Sequence, residues 1–423
     1  MANIIERVQV TGFWGEKSVD VRFSALNNFI IGVNGSGKTT FINLLSGCLR
    51  LDFDVLNKIA FDEIIITLKT LGKNQKPIIR VKKTSVNEYL SHITYVVKTS
   101  TSGAVDTYDF EDFADIAFAR RRRNAPSQDL NHASLRNQLR SLVELSWLPL
   151  WRFQPSRALE FDERMPASVE AKLEQVKKDF ATYFSSLQAK AQRETDLFQE
   201  KIFLSLIHQA DRRAPLTTDI VDLVAEQAEL EAIFKEFNMD RAKYRRSIVS
   251  HFENVKTAVS KIKRESSESL SQTDFVSLID NQRIHRLVHD WRQLQKTRKD
   301  IYFHRSMFIS ILDDLFTRKT VRITDRNEIE IVTQSGKPFG PDVLSSGEKQ
   351  LFVMLGEVLL FEQRPFVLIA DEPELSLHVA WQSALVESIR LLSGRVQIIF
   401  ATHSPDIVGE NEADIIELEE HIL

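Results

Sequence analysis

The chain has 423 residues, 43% of them hydrophobic, which is enough for two or three domains with apolar cores. Its formal net charge of -4 and its pI of about 6.3 exclude a generally basic surface that coats nucleic acid. Cys48 is the only cysteine, so an intrachain disulfide and a cysteine zinc cluster are excluded, and no stretch has the roughly 18 continuous apolar residues of a membrane span. These features predict a cytoplasmic globular protein without membrane contact.

The N-terminal region predicts three strands that lead into a glycine-rich loop. Residues 4–10 and 18–23 are extended segments on either side of the turn Gly12-Phe13-Trp14-Gly15, and the apolar run Phe29–Ile31 follows them. An antiparallel sheet beside this region is predicted by three later strand-like runs, residues 64–68, 78–81 and 92–97.

Residues 32–39 have the spacing Gly-x-x-x-x-Gly-Lys-Thr, which is typical of a phosphate-binding loop between a strand and a helix. Successive backbone N–H groups, the positive end of the following helix and the Lys38 ammonium would bind a triphosphate, and the Thr39 hydroxyl would reach Mg²⁺. We therefore predict that ATP contacts a run of consecutive residues, which are Asn34, Gly35, Ser36, Gly37, Lys38, Thr39 and Thr40.

Aromatic residues in the first turn allow two interpretations. Phe13 or Trp14 could stack on the adenine base of the nucleotide. An aromatic side chain beside a turn is, however, more often part of the core.

Four consecutive arginines at residues 120–123 form the one dense basic cluster of the sequence, and Pro126 and Ser127 place them in a loop. Like charges repel, so this run is expected to be solvated. It could contact phosphates or an acidic protein partner, but such runs are usually exposed faces without a ligand.

Gln154 is a candidate Mg²⁺ ligand. It follows residues 142–150, which predict another buried strand, and it precedes a long helical region. A glutamine at the end of such a strand can reach the metal ion beside the γ-phosphate.

From about residue 166 to residue 318 the sequence is charged, helical and almost free of glycine and proline. Apolar residues recur at alternating steps of four and three, which is typical of a coiled-coil seam; they are Val169, Leu173, Val176, Phe180, Tyr183 and Leu187. About 25 residues of seam at about 1.5 Å per residue predict an arm no longer than about 40 Å. We favour helix packing within an insertion, and a partner-binding arm is the alternative.

Further candidate site residues lie near the C-terminus. Residues 320–324 and 328–333 predict a hairpin, and the polar turn at residues 342–350 begins an apolar helix whose N-terminus is free to meet an anion. The apolar run 366–370 ends in Asp371 and Glu372, of which the first can bind Mg²⁺ and the second, pointing the other way, can take a proton from water.

His403 ends another buried strand at residues 396–401 and is suited to contact a γ-phosphate. A lone histidine is more often structural. We favour the phosphate contact because this strand is expected to end at the same edge of the sheet as the phosphate loop.

Four ordered segments resemble the motifs of ABC-type ATPases. Residues 32–39 resemble the Walker A motif, residues 344–348 the signature, Asp371 and Glu372 the Walker B motif, and His403 the switch histidine. Asp371 follows Lys38 by 333 positions, and this separation makes the layout similar to the branch of SMC, Rad50, RecF and OLD proteins rather than to a transporter cassette.

This resemblance implies an α/β protein with an ABC-type P-loop ATPase head, a mixed sheet flanked by helices, and a short coiled-coil insertion. The head would comprise residues 1–155 and 320–423, and the insertion residues 156–319. Three positions depart from the family pattern: Ser346 replaces the usual glycine, Glu348 the usual glutamine, and His378 the aspartate of the D-loop.

The resemblance also implies a site completed by a second copy of the chain. Lys38 and the loop amides would bind the phosphates, Glu372 would activate water, and His403 would contact the γ-phosphate. Mg²⁺ would be bound by Thr39, Asp371 and Gln154, and the nucleotide would be capped in trans by Ser345, Ser346 and Gly347.

Two functions of different class are open. OLD proteins continue into a Toprim nuclease domain, whereas this sequence ends at Leu423, so we expect a stand-alone ATPase subunit of a bacterial anti-phage system that binds a separate nuclease. The opening segment favours the AriA type of PARIS over PtuA of Septu. The alternative is a DNA-repair ATPase like RecF or Rad50 that binds duplex DNA through residues 120–123, and a metabolic P-loop enzyme is a distant third.

Overall fold

The computed structural model describes residues 3–87, 90–100, 103, 105–111, 126–149, 169–207, 222–263, 271–362 and 364–423. The chain divides into two compact units, one made of Met1–Thr182 and His304–Leu423 and the other of Tyr183–Phe303. These divisions fall inside two long helices, because each helix begins or ends in the first unit. The domain boundaries drawn from the sequence, after residues 155 and 319, stay predictions.

The first unit contains a six-stranded antiparallel sheet in the order β2-β1-β4-β5-β6-β7. Its strands are β1 (Asn3–Phe13), β2 (Lys17–Arg22), β4 (Glu63–Thr70), β5 (Ile78–Asn87), β6 (Leu90–Lys98) and β7 (Val105–Glu111). In β4, alternate residues from Ile64 to Thr70 are buried, as expected for a sheet with one face on the core. The predicted antiparallel sheet is confirmed.

A five-stranded parallel sheet in the order β14-β3-β13-β12-β8 forms the other layer of this unit. Its strands are β3 (Phe29–Ile31), β8 (Leu145–Leu148), β12 (Phe366–Asp371), β13 (Val396–Ala401) and β14 (Ile415–Glu417). Every residue of β12 and β13 is buried, which explains why both strands are apolar apart from Gln397 and the terminal Asp371.

Helix α1 (Lys38–Arg50) contributes Phe41, Ile42, Leu44 and Leu45 to one core cluster that also contains residues of both sheets. The two sheets are joined by Gln397, whose side chain accepts a hydrogen bond from the backbone N–H of Ile5 and donates one to its carbonyl, both at 2.8 Å. Further helices of this unit are α2 (Phe53–Lys58) and α3 (Pro126–Leu142).

A small three-stranded sheet precedes the last motifs and confirms the predicted hairpin. It comprises β9 (Lys319–Ile323), β10 (Ile329–Thr333) and β11 (Pro338–Phe339), paired in the order β11-β10-β9.

The helical insertion consists, in the described residues, of α4 (Val169–Ile207), α5 (Leu223–Glu236), α6 (Arg241–Lys263) and α7 (Gln272–Leu315). Helices α4 and α7 have 39 and 44 residues, so each is about 60 Å long, well beyond the predicted 40 Å. Within residues 183–303 a separate apolar cluster includes Phe198, Phe252 and Trp291.

Three more helices follow in the first unit: α8 (Ser346–Phe361), α9 (Val379–Leu392) and the short α10 (Pro405–Val408). The predicted α/β architecture, with sheets flanked by helices and a helical insertion, is thereby confirmed. Among the described residues, no helix combines the length and apolar character needed to cross a bilayer.

Candidate functional site

The parallel sheet brings three of the sequence motifs to one edge. Ala401 of β13 is paired with Asp371 of β12 on one side and with Ile30 of β3 on the other. The carboxyl ends of these three strands therefore lie side by side, with the phosphate loop, the carboxylate pair and His403 directly after them. Open parallel sheets bind their ligands at this edge.

The phosphate loop follows β3 and ends where α1 begins at Lys38. Gly35 and Gly37 have φ values of 87° and 99°, which side chains rarely adopt. A Cβ at Gly37 would also lie 2.7 Å from the indole ring of Trp14, so this position requires glycine for two reasons. Asn34 and Gly35 are exposed, and Thr40 is half-buried.

Lys38 is buried at the base of this loop. Its Nζ donates hydrogen bonds to the carbonyl oxygens of Gly32 at 2.8 Å and Val33 at 3.3 Å. Burial lowers the pKa of Lys38, although nearby carboxylates, Glu372 first among them, oppose this shift. The cation thus sits under the loop without a carboxylate bonded to it.

Asp371 is 3% exposed and is bonded through only one of its oxygens. Thr39 Oγ1 donates to Oδ1 at 3.1 Å, whereas Oδ2 is buried and has no hydrogen-bond partner among the described residues. Burial raises the pKa of Asp371 to about 6, the Thr39 bond opposes this shift, and Glu372 and Glu374 add to it.

The pair formed by Thr39 and Asp371 fits Mg²⁺. A hydroxyl and a carboxylate with an unpartnered buried oxygen are hard oxygen donors, and Mg²⁺ is usually bound by one or two carboxylates together with substrate phosphates. A cation there would offset the cost of the buried charge. The third predicted ligand, Gln154, lies outside the described residues, as do the arginines at 120–123.

Glu372 follows Asp371 in a left-handed backbone conformation, with φ of 47°. Its N–H donates to the carbonyl of Ala401 at 2.8 Å, so the end of β13 fixes this unusual peptide. Left-handed backbone costs a non-glycine residue about 1 kcal/mol or more, and such residues cluster at functional sites. The half-buried Glu372 carboxylate is thus placed differently from the buried Asp371.

His403 is exposed in the loop after β13, and this loop is bound to the segment after Glu372. Glu374 Oε1 accepts hydrogen bonds from the backbone N–H groups of His403 at 2.7 Å and Ser404 at 3.2 Å. The sequence analysis did not single out Glu374. Its position three residues after Asp371 was visible, but its partners lie 29 and 30 residues away.

The signature residues begin helix α8. Ser345 is the N-cap: its Oγ and backbone N–H both contact Glu348 Oε2, at 2.8 and 2.9 Å, in a capping box. Lys319 bonds the other oxygen of Glu348. Burial raises the pKa of Glu348, but these bonds outweigh burial and lower it overall. Glu348, which stands where the family pattern has glutamine, is thus part of the capping box of helix α8.

Gly347 is required by a close approach rather than by its φ angle. A Cβ at this position would lie 2.3 Å from the carbonyl oxygen of Ser376. Ser345 and Ser346, in contrast, are exposed. His378, the third departure, is the N-cap of α9, where its Nδ1 accepts from the N–H of Ala380 at 3.3 Å.

The two aromatic residues of the first turn have different environments. Phe13 is fully buried in the core cluster, as the core interpretation predicts. Trp14 stacks on it with ring centroids 4.8 Å apart, is 43% exposed and lies against Gly37. Trp14 is therefore the one of the two that a nucleotide could reach.

A cleft of about 510 Å³ lies between the phosphate loop and the end of β13, and its lining includes Gly32, Thr402 and His403. The other side of the cleft is acidic, because Glu412, Glu417 and Glu419 also line it. Glu419 Oε1 accepts a hydrogen bond from the N–H of Val33 at 2.9 Å. The sequence analysis missed this contact between the C-terminal region and the loop.

Comparison with known proteins identified a family and curated relatives, one of which is described here. The family AAA_21, described as "AAA domain, putative AbiEii toxin, Type IV TA system", matches residues 28–409. The Retron Vc95 probable ATPase of Vibrio cholerae serotype O1 biovar El Tor is 22% identical over 395 residues. That alignment covers 89% of this chain but only 65% of the length of the relative.

Solved structures of SMC heads resemble this chain weakly. Each is 13% identical to it, and each comparison covers 98% of this chain. The Smc head of Pyrococcus furiosus with an extended coiled coil, bound to the C-terminal domain of ScpA, gives a TM-score of 0.41 with 93% of that chain covered. A SmcHead bound to the C-winged helix domain of ScpA gives 0.42 with 94%, and a Pyrococcus yayanosii Smc head with coiled coil and joint gives 0.39 with 95%. Similarity of this size defines neither a function nor an assembly.

The family match starts before the phosphate loop and ends beyond His403, so it includes every element of the site described above. On this ground the chain belongs to the AAA_21 family, described as "AAA domain, putative AbiEii toxin, Type IV TA system".

Proposed function

We propose that the chain binds MgATP between two copies of itself, hydrolyses it slowly, and serves as the sensor and scaffold subunit of a bacterial anti-phage system. The single observation that carries the nucleotide part is the convergence of Lys38, Thr39 and Asp371, whose second carboxylate oxygen is buried and has no partner in the part of the chain that the structure describes. Magnesium ATP supplies both the anion for Lys38 and the cation for Asp371.

The residues have separate roles in this proposal. Lys38 and the N–H groups of the loop bind and orient the phosphates, and Thr39 and Asp371, with Gln154 as a further candidate, would hold Mg²⁺, which neutralises charge on the phosphates. Glu372 takes the proton of the attacking water, and His403 contacts the γ-phosphate. The exposed indole of Trp14 is available to the base.

The surface around the signature supports the second copy. Ser345 and Ser346 are exposed at the positive end of α8, where an anion is favoured. Exposed apolar side chains lie on the segments that flank the contact between Gly347 and Ser376; they are Val343, Leu375 and Val379, which are 70%, 37% and 56% exposed. Apolar residues beside an anion site suit an interface that closes on a nucleotide.

A complementation experiment tests whether the signature acts in trans. Ser345→Arg blocks the signature and Glu372→Gln removes the base, so each variant alone should lose ATP turnover. In a mixed dimer, one site combines the intact Glu372 of one copy with the intact Ser345 of the other. Co-expressed variants should therefore recover about a quarter of the wild-type phosphate release, as random pairing of symmetric dimers implies.

Absence of any recovery, although the mixed dimer is isolated through two different tags, would contradict the sandwich. Recovery cannot arise if each chain completes its own site, because every copy in the mixture has one defect. Light scattering of Glu372→Gln with and without MgATP measures the assembly directly. We expect an ATP-dependent dimer, which can assemble further, for example into a hexamer.

The defence role is supported by the two names that the comparisons supply. The family description includes a toxin and a toxin–antitoxin system, and the curated relative is the probable ATPase of a retron. We propose that the ATP-bound assembly binds a separate toxic nuclease of Toprim type and releases it when a phage protein or DNA is sensed. Within such systems we favour the AriA type of PARIS over PtuA of Septu.

Co-expression with the product of the neighbouring gene tests this part. We expect a stable complex that dissociates on infection or on ATP hydrolysis. Repeated purification without any partner would contradict the proposed defence role. Salt-dependent binding of duplex DNA that is lost when the arginines at 120–123 become alanine would favour the DNA-repair alternative instead.

A further inference from the structure

Residues 373–377, which we name the bridging segment, connect the carboxylate pair to helix α9. On one side they contact the signature helix α8. Gln350, buried in α8, donates a hydrogen bond from Nε2 to the carbonyl of Pro373 at 3.0 Å. The Ser376 carbonyl lies so close to Gly347 that no side chain fits there.

On the other side, Glu374 of the bridging segment binds the loop that carries His403. Its Oε1 accepts the N–H groups of both His403 and Ser404, at 2.7 and 3.2 Å. Hydrogen bonds from N–H groups to an ionised carboxylate are shorter and stronger than those to neutral acceptors. The backbone at His403 is thus fixed by a side chain that lies 29 residues earlier in the sequence.

Among the described residues, the other side-chain hydrogen bonds of this loop hold Ser404, so Glu374 is the group that fixes the backbone at His403. Ser404 Oγ donates to Gln382 Oε1 at 2.6 Å and caps the short helix α10, so it fixes the residue after His403. The N–H of His403 itself is bound by Glu374. Removal of the Glu374 carboxylate would therefore free the peptide that directs the His403 imidazole.

Glu374 adds negative charge to a site that already contains two carboxylates. Glu374 is a third acidic group beside Asp371 and Glu372, and it helps to raise the pKa of Asp371. Its Oε2 is buried and has no hydrogen-bond partner among the described residues. A buried oxygen without a partner costs free energy, which is consistent with a role for Glu374 beyond stability.

We propose that Glu374 is a positioning residue for ATP hydrolysis, which fixes the His403 backbone so that the imidazole contacts the γ-phosphate when α8 of a second copy closes on the nucleotide. It acts through His403 and contacts no substrate. This inference rests on the proposed function, because it takes the γ-phosphate contact of His403 from there.

The first test is the steady-state kinetics of Glu374→Ala in the full chain. Misplacement of a contacting group by about 1 Å can cost about 100-fold in rate, so we expect kcat to fall about 10- to 100-fold. The KM for ATP should change less than about 3-fold, because the phosphate loop is intact. A rise in KM at unchanged kcat would overturn the inference.

A double-mutant cycle separates positioning from a general structural role. If Glu374 acts through His403, then Glu374→Ala should add less than about 2-fold to the loss caused by His403→Ala. Losses that multiply would show that the two residues act independently and would overturn the inference. Glu374→Gln retains an oxygen that can accept both N–H groups and should restore kcat to within about 5-fold of wild type.

Controls distinguish this inference from the proposed function. Glu387→Ala, on the exposed side of α9, should leave kcat unchanged. If His403→Ala has full activity, the role of His403 in the proposed function is wrong; if it is impaired while Glu374→Ala is not, only the present inference is wrong. If thermal unfolding shows that Glu374→Ala is not folded, Glu374→Asp replaces it. The shorter aspartate side chain cannot reach His403, so this variant should lower kcat similarly.

Discussion

Asp371 and Asp274 are both almost fully buried aspartates, one in each compact unit. Asp274 in the insertion accepts hydrogen bonds from Lys261 at 2.9 Å and from the N–H and hydroxyl of Ser271 at 2.8 and 2.7 Å. The Ser271 and Lys261 bonds lower its pKa to about 2. Asp371 in the head has one bond, from Thr39, and burial raises its pKa to about 6.

The difference indicates what each carboxylate is for. Buried charges that serve stability are partnered by the protein itself, as Asp274 is. A buried charge whose second oxygen has no protein partner costs free energy, and such a group is retained where an external cation or proton completes it. The contrast supports our proposal that the edge of the parallel sheet is the functional site, whereas the Asp274 cluster fits a structural role.

Removing the buried Lys38 of the site and the half-buried Lys261 of the insertion should have the most different effects on ATP binding. Lys38→Ala removes the ammonium that lies under the phosphate loop, so nucleotide binding should fall by more than about 100-fold, as charge-assisted bonds to phosphate are lost. Lys261→Ala removes only the partner of Asp274 and should leave ATP affinity unchanged. Isothermal titration with MgATP measures both, and equal losses would contradict the assignment.

The second largest effect is expected from the base. Glu372→Gln should keep ATP affinity and lower turnover about 100-fold or more, which is the usual contribution of a general base. The matched change in the insertion is Glu226→Gln, which alters a buried glutamate paired with His285 and should not affect turnover. Phosphate release under saturating ATP measures both, and unchanged turnover in Glu372→Gln would remove Glu372 from its role.

Asp371→Asn should stabilise the metal-free protein. The fold raises the pKa of Asp371 from 3.8 to about 6, so its ionised form is opposed by the fold above pH 6, at a cost of about 3 kcal/mol. The variant should therefore unfold at a higher temperature than wild type at pH 8 in EDTA, and the gain should vanish below about pH 4. A loss of stability at pH 8 would mean that the carboxylate is already satisfied.

Asp274→Asn should act in the opposite direction and more weakly. The pKa of Asp274 is lowered to about 2, so its carboxylate stabilises the fold above its unfolded pKa of about 4, and this contribution is lost as the pH falls toward 2. We expect a lower unfolding temperature at pH 8 and no change in turnover. Thermal unfolding of both aspartate variants in one buffer series would sharpen the comparison by its two signs.

The sequence predicted the site better than it predicted the contacts that support it. Strands β12 and β13 are largely apolar runs that lead into polar residues, Asp371 and Glu372 in one case and His403 in the other, so their burial and their common edge could be inferred. The partners of Glu374 could not, because they depend on the parallel pairing of strands that are far apart in the sequence.

Some misses had a signal in the sequence and others had none. Ser345 and Glu348 have the spacing of a capping box, which was visible but was interpreted only as part of the signature. The strand predicted at residues 142–150 is confirmed but shorter, as β8 at Leu145–Leu148, because α3 ends at Leu142 and pairing with β12 decides where the strand begins. Helices α4 and α7 exceed the predicted arm because their polar stretches continue without a breaker.

The left-handed backbone at Glu372 has a consequence for the evolution of this protein. Glycine or asparagine at this position would relax the peptide by about 1 kcal/mol, so selection for stability alone works against the carboxylate to which we assign the role of general base. Descendants that no longer need turnover are therefore expected to exchange this glutamate early, and to gain thermal stability by doing so.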